Sequence, residues 1–196
     1  MIEVVEEIKY FSLKSYMDFL KIEKEVSNDL NDLRAIAFIL SEKFIEENIS
    51  KQHKYKILNW LCSLDVISIA VINCNISEKS IEYLLSFDLC LETTKSSITL
   101  NGLSNADYFT DEHIKLLIGQ STNFPLINGS IDSENIASSV CQFVAPILEG
   151  KTSEYIGFLK KYFNLYKQTK DINRSILQWE ETISFCELSI KKYENG

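Results

Sequence analysis

Apolar residues recur at steps of three and four along most of this chain, the spacing of a helix that buries one side. In NDLNDLRAIAFILSEKFIEEN the set Leu30, Leu33, Ala37, Leu40 and Phe44 makes one stripe, with Asn28 or Asp29 placed to cap its start. The C-terminal segment DINRSILQWEETISFCELSIKKY repeats the pattern through Ile172, Ile176, Trp179, Ile183, Cys186, Ile190 and Tyr193. Asp171 can cap it, and Lys191 and Lys192 fall in the last turn, where positive charge complements the helix dipole. Just before it, Ile156, Leu159, Phe163 and Tyr166 share a face behind a cap at Thr152 or Ser153. The short link around Lys170 and Asp171 predicts an antiparallel helical hairpin. Near the other end, Leu13, Tyr16, Met17, Leu20 and Lys24 predict a helix opened by Ser12.

Residues 58 to 77, LNWLCSLDVISIAVINCNIS, are the most apolar stretch. Ile57, Leu61, Leu64 and Ile67 keep helical spacing from near Ser50 onward. The second half, VISIAVI, is β-branched and apolar on every face, so it reads either as a buried helix end or as a short buried strand. Continuity with the helical spacing before it, with neither Gly nor Pro between, favours the helix. A membrane span needs roughly 20 nearly uninterrupted apolar residues, and Asn59, Asp65 and Asn73 interrupt this run, so it belongs to a protein interior.

The middle of the chain is less regular. Ser77 is placed to cap a short helix through Leu85, LCLETTKSSITLNG allows at most a minor β-hairpin near 88–101, and FTDEHIKLLIGQS reads as a helix from Thr110 to Gly119. Pro125 and Asn128-Gly129 make residues 120–132 the candidate for a hinge or a subdomain junction, after which IASSVCQFVAPILEG resumes helical spacing up to Gly150. The architecture these patterns predict is all-α: a single domain over 1–196, an irregular bundle of about seven helices closed by the C-terminal hairpin.

Composition narrows the function classes. The 196 residues are 45% hydrophobic and 24% charged, which suits a folded domain. Glu3, Glu6 and Glu7 stand where a secretory signal would carry basic residues, so a cytoplasmic protein is expected. Cys62, Cys74, Cys90, Cys141 and Cys186 are odd in number, scattered and without a CxxC pair, which argues against a disulfide framework or a zinc site. His53 and His113 stand far apart in sequence, and no metal or cofactor is expected.

Four features suggest chemistry, and each has a plainer reading. Ala145 to Thr152, APILEGKT, fits a relaxed phosphate-loop pattern, but its interior is Pro-Ile-Leu-Glu where such a loop needs glycines. A helix end at Gly150 followed by a cap at Thr152 explains it better. Cys62, Cys74 and Cys186 fall on or beside apolar helical faces, where cysteine packs as a small hydrophobe. Glu6-Glu7, Glu46-Glu47 and Glu180-Glu181 are adjacent pairs, which do not face each other on a helix. Lys160, Lys161, Lys167 and Lys170 form a mild basic patch, yet a net charge of -8 argues against nucleic acid as partner.

Charge distribution is the remaining signal. Between Asn101 and Gly150 the acids Asp107, Asp111, Glu112, Asp132, Glu134 and Glu149 face the single base Lys115, with Tyr108, Phe109 and Phe124 interleaved. Acidic loops carrying aromatics on a helical scaffold predict docking of a basic protein, with Asp107, Tyr108, Asp111, Glu112, Asp132 and Glu134 as its contacts. The expected function is therefore an acidic, immunity- or antitoxin-like (or anti-defence) inhibitor that neutralises a basic partner, more readily a binding protein than an enzyme. Two alternatives stay open: an enzyme whose site is assembled from residues distant in sequence, and a structural subunit dimerising through Ile176, Trp179 and Ile183.

Overall fold

The run AIAFIL is apolar at all six positions, and it crosses the molecule's interior as a strand buried on both faces. The computed structural model describes residues 7–28, 33–77, 83–84, 86–99 and 127–169. Five strands, β1 (Ile8–Leu13), β2 (Ala35–Leu40), β3 (Ile67–Ile72), β5 (Leu89–Thr93) and β7 (Gly129–Ile131), form a parallel sheet in the order β1-β2-β3-β5-β7. Two shorter ones, β4 (Asn75–Ser77) and β6 (Ser97–Thr99), pair separately, also in parallel. The helices are α1 (Tyr16–Asn28), α2 (Glu42–Ile45), α3 (Lys51–Ser63), α4 (Ile136–Leu148) and α5 (Ser153–Thr169).

Alternate residues of β2 divide the core into two halves, as the pleat of a strand requires. Ile36, Phe38 and Leu40 pack with Phe19, Ile22 and Val26 of α1 and Ile57 and Leu61 of α3. Ala35 and Ala37 face the other way, among Val140, Val144 and Leu148 of α4 and Ile156 of α5. Phe38 is fully buried and meets the rings of Phe11, Phe87 and Trp60 at 6.1, 5.6 and 6.0 Å between centroids. The layers are helix, parallel sheet, helix, so the fold is α/β and the expected all-α bundle is corrected.

The physical reason lies in how a parallel sheet reads in sequence. With helices on both faces its strands become continuous apolar runs, and such a run satisfies helical spacing as easily as strand alternation. From Ala35 onward the helix predicted over Leu30 to Phe44 is in fact strand β2 followed by α2, which starts afresh because the Ser41 hydroxyl accepts a hydrogen bond from Phe44 N (3.3 Å). The predicted helix beyond Ser50 stops at Ser63, and Ile67–Ile72 is the strand that the β-branched run allowed as an alternative. Ser12 lies inside β1, and Ser15 opens α1 instead, accepting from Asp18 N at 3.3 Å. Among the described residues near 88–101 there is no hairpin: β5 joins the large sheet, while β6 pairs with β4. In the junction expected near 120–132, Gly129–Ile131 is a strand of the large sheet.

The helices predicted at Ile136 and Ser153 form as expected, and so does the corner between them. Gly150 adopts φ 69°, the left-handed conformation that ends α4 at little cost only for glycine, and the Thr152 hydroxyl accepts from Tyr155 N at 3.3 Å. Arg34 Nη1 donates to both Leu148 O and Lys151 O at 2.7 Å, while its Nη2 meets Glu7 Oε2. With Lys151 N donating to Leu148 O and Glu149 N to Ala145 O, this corner has spent backbone amides that a phosphate loop would need. The predicted helices at Thr110 to Gly119 and after Asp171 lie outside the described residues; of the one after Ser77, only Tyr83 and Leu84 are described as helical.

Candidate active site

Open parallel sheets bind ligands beyond the carboxyl ends of their strands, where successive loops converge. Here that edge is built by the residues that end β2, β3, β5 and β7. At the end of β2 the Ser41 hydroxyl donates to Leu13 O (2.9 Å), tying β2 to β1, and turns the chain into α2. Phe44 and Ile45 anchor this single turn in the core, which leaves Glu42 and Glu46, four residues apart, exposed on one side. Glu47 accepts from Tyr16 N at 2.6 Å and so caps α1.

After β3, the buried Thr93 hydroxyl donates to Asn73 Oδ1 at 3.0 Å, and the Ser97 hydroxyl donates to Asn75 Oδ1 at 2.7 Å. The first bond ties the end of β3 to the end of β5, and the second joins β4 to β6 within the small sheet. Cys74 sits between them, half-buried, its thiol pushed up to about 11 first by burial and then by the facing carboxylates of Glu42 and Glu46. A thiol held protonated at neutral pH is a poor nucleophile. Tyr83 packs on Phe44 at 5.4 Å, and Lys54 Nζ lies 5.5 Å from the Tyr83 ring centre, bringing a cation from the first turn of α3 to this edge.

Of the residues predicted to contact a partner, Asp132 and Glu134 follow β7 on the same edge, where Asp132 Oδ1 accepts from Glu134 N (2.9 Å) and the Thr94 hydroxyl donates to that of Ser133 (3.1 Å). Asp107, Tyr108, Asp111 and Glu112 lie outside the described residues, as do His113 and Cys186. Cys62, expected on an apolar face, is exposed, whereas Cys90 is buried and donates to Leu84 O. His53 stacks on Tyr16 at 4.4 Å in an open groove of about 660 Å³ between α1 and α3. Among the described residues no group of three or more His, Cys, Asp or Glu is arranged to hold a metal ion, and no helix is long and apolar enough to cross a membrane.

The amino-terminal edge holds a different kind of site. Lys160, which the sequence groups into a basic patch, is buried: Nζ contacts Asp88 Oδ2 (2.7 Å) and donates to Val66 O (2.9 Å) and Leu61 O (3.3 Å). Asp88 Oδ2 also accepts from Ser68 N and Oγ at 2.8 and 2.7 Å. Sequence inspection misses both groups of residues. The signal for the first was Ser41 after an unbroken apolar run, which marks a strand end opening into a helix. Nothing local joins Asp88 to Lys160.

No protein-family model and no curated protein matches the chain. Solved structures do. The chain is similar to a probable enoyl-CoA hydratase/isomerase from Mycobacterium abscessus, with TM-score 0.69 and 13% identity over 93% of this chain and 87% of the other. A putative enoyl-CoA hydratase from Thermobifida fusca YX, in complex with acetoacetyl-CoA, gives 0.65 and 12% over 93% and 92%. Human enoyl Coenzyme A hydratase domain-containing protein 3 gives 0.63 and 13% over 91% and 87%. The chain therefore has the fold of enoyl-CoA hydratase/isomerase structures. That finding corrects the expected inhibitor of a basic partner and the preference for a non-enzyme, since the proteins that share this fold are named for enoyl-CoA enzymes.

Proposed function

We propose that the chain is an enzyme acting on a coenzyme A thioester bound at the carboxyl edge of its sheet, with Glu42 and Glu46 as its acid–base pair. The observation that carries the reading is the likeness, over about nine-tenths of both chains, to structures named for enoyl-CoA chemistry, one of them holding acetoacetyl-CoA. The edge suits such a ligand in its charges. The phosphates of coenzyme A need cations, and Lys43, Lys51 and Lys54 stand on α2 and the first turn of α3, an exception in a chain of net charge -8. The thioester end would then reach α2. Adding water to a double bond beside a carbonyl, or moving that bond, needs one group that takes a proton and one that returns it. Two carboxylates on one side of a short helix supply both roles.

The test is calorimetric binding of a short enoyl-CoA, followed by its loss of absorbance on turnover, for the wild type, Glu42→Gln and Glu46→Gln. Positioned acid–base groups contribute roughly 10²- to 10⁴-fold, so either change should lower kcat by about 10²-fold or more while binding persists. Absence of binding by the wild type overturns the ligand, and unchanged kcat in both variants overturns the assigned roles.

A further inference from the structure

A cavity of about 340 Å³ opens at the amino-terminal edge of the sheet, the opposite side from the proposed acyl-CoA site. Its walls are Ile67 and Leu89, the first residues of β3 and β5, with Ile147 of α4 and Ile156 and Leu159 of α5. The volume is at the small end of ligand sites, far short of what a whole coenzyme A would need. Three charged side chains complete the lining, Asp88 against Lys151 and Lys160, so an aliphatic cavity carries an excess of one positive charge.

The three charges are not equivalent. Lys160, buried in the wall, and Asp88, partly exposed there, are committed to each other and to backbone and Ser68 partners. Lys151 stands at the α4–α5 corner, where its Nζ donates to Ile147 O at 2.6 Å, and an ammonium has three protons to give. Arg34, by holding Lys151 O and Leu148 O, fixes the backbone from which this side chain extends. The corner thus presents a positioned cation beside an apolar chamber in front of an already neutralised pair.

We propose that this cavity binds a small aliphatic monocarboxylate, its carboxylate on Lys151 and its hydrocarbon chain among Ile67, Leu89, Ile147, Ile156 and Leu159. The complement is twofold: one negative charge balances the lining, and an aliphatic body replaces water in a chamber whose uncharged walls offer it few partners. The reading is independent of catalysis at the carboxyl edge, since the ligand enters from the opposite end of the strands.

The experiment uses the full chain and sodium octanoate, with octanol as the uncharged probe of similar length. Methyl NMR resonances of Ile67, Leu89, Ile147 and Ile156 should shift saturably with octanoate, and octanol should bind at least tenfold more weakly. Lys151→Met should weaken octanoate by tenfold or more. Leu159→Trp, which fills the chamber, should abolish binding, and its amide spectrum reports whether the chain is still folded. Methyl shifts that are absent at millimolar octanoate, equal affinity for the two probes, or undiminished binding by Lys151→Met each overturn the proposal, and none of them bears on the enoyl-CoA assay.

Discussion

Asp88→Asn and Lys160→Met should each destabilise the chain severely, and the double variant should cost little more than either alone. Lys160 is 6% exposed, and its ammonium is held by the Asp88 carboxylate at 2.7 Å and by Val66 O, Leu61 O and Ser68 Oγ at 2.9, 3.3 and 3.4 Å. Removing one partner of a buried pair leaves an uncompensated charge, at about 3–5 kcal/mol. Asp88 keeps 24% of its side chain exposed, so water screens part of the loss and the lower end, about 3 kcal/mol, applies to each single change. The double variant loses both charges together and leaves Val66 O and Leu61 O short of a donor, about 3–4 kcal/mol in all rather than the roughly 6 that additivity would give. The assay is urea unfolding of the four proteins at one pH, comparing midpoints at unchanged slope. Single changes worth less than about 1 kcal/mol, or a double variant equal to the sum, would refute the claim that the pair acts as a unit inside a low-dielectric wall.

Two further outcomes follow from local geometry. Burial and the facing carboxylates raise Cys74 from 9.0 to about 11, so at pH 8 its thiolate fraction falls about a hundredfold below that of an ordinary thiol. Iodoacetamide should therefore modify Cys74 slowly at pH 8 and progressively faster as pH approaches 11, as read by peptide mass; fast modification at pH 8 would refute the burial of Cys74 and, with it, the effect of Glu42 and Glu46. A Cβ at Gly129 would stand 2.4 Å from Phe143 Cε2, so Gly129→Ala forces that ring away from β7 and should cost about 1–3 kcal/mol in urea unfolding, with no change at the carboxyl edge.

How much of the fold was legible depends on which elements one considers. α4 and α5 were readable because each has one apolar side, a genuine period and local punctuation at Gly150 and Thr152. β2 and β3 were not, because AIAFIL and ISIAVI are buried on both faces and carry no alternation to distinguish strand from helix. What could have decided them was the length of each run, six residues, together with β-branching at Ile36, Ile39, Ile67, Ile69, Val71 and Ile72 and a helix cap immediately after β2 at Ser41. Once these two runs are read as strands separated by helices, the chain becomes a strand–helix alternation and predicts a parallel sheet.

The site was less legible than the fold for a reason that topology makes plain. In a parallel sheet every crossover returns the chain to the same end, so residues that meet at the carboxyl edge are separated in sequence by a whole strand and helix. Asn73 reaches Thr93 twenty residues away, and Cys74 faces Glu42 and Glu46 across all of α3. Composition saw the glutamates only as surface charge, because their significance comes from β2 and β3 ending side by side, in a register that pairs Leu40 with Ile72. The same logic places Asp88 against Lys160 at the other edge, where β5 begins and α5 passes. A charged residue following the end of a buried apolar run is therefore the feature to weigh in chains of this kind, ahead of the overall balance of acids and bases.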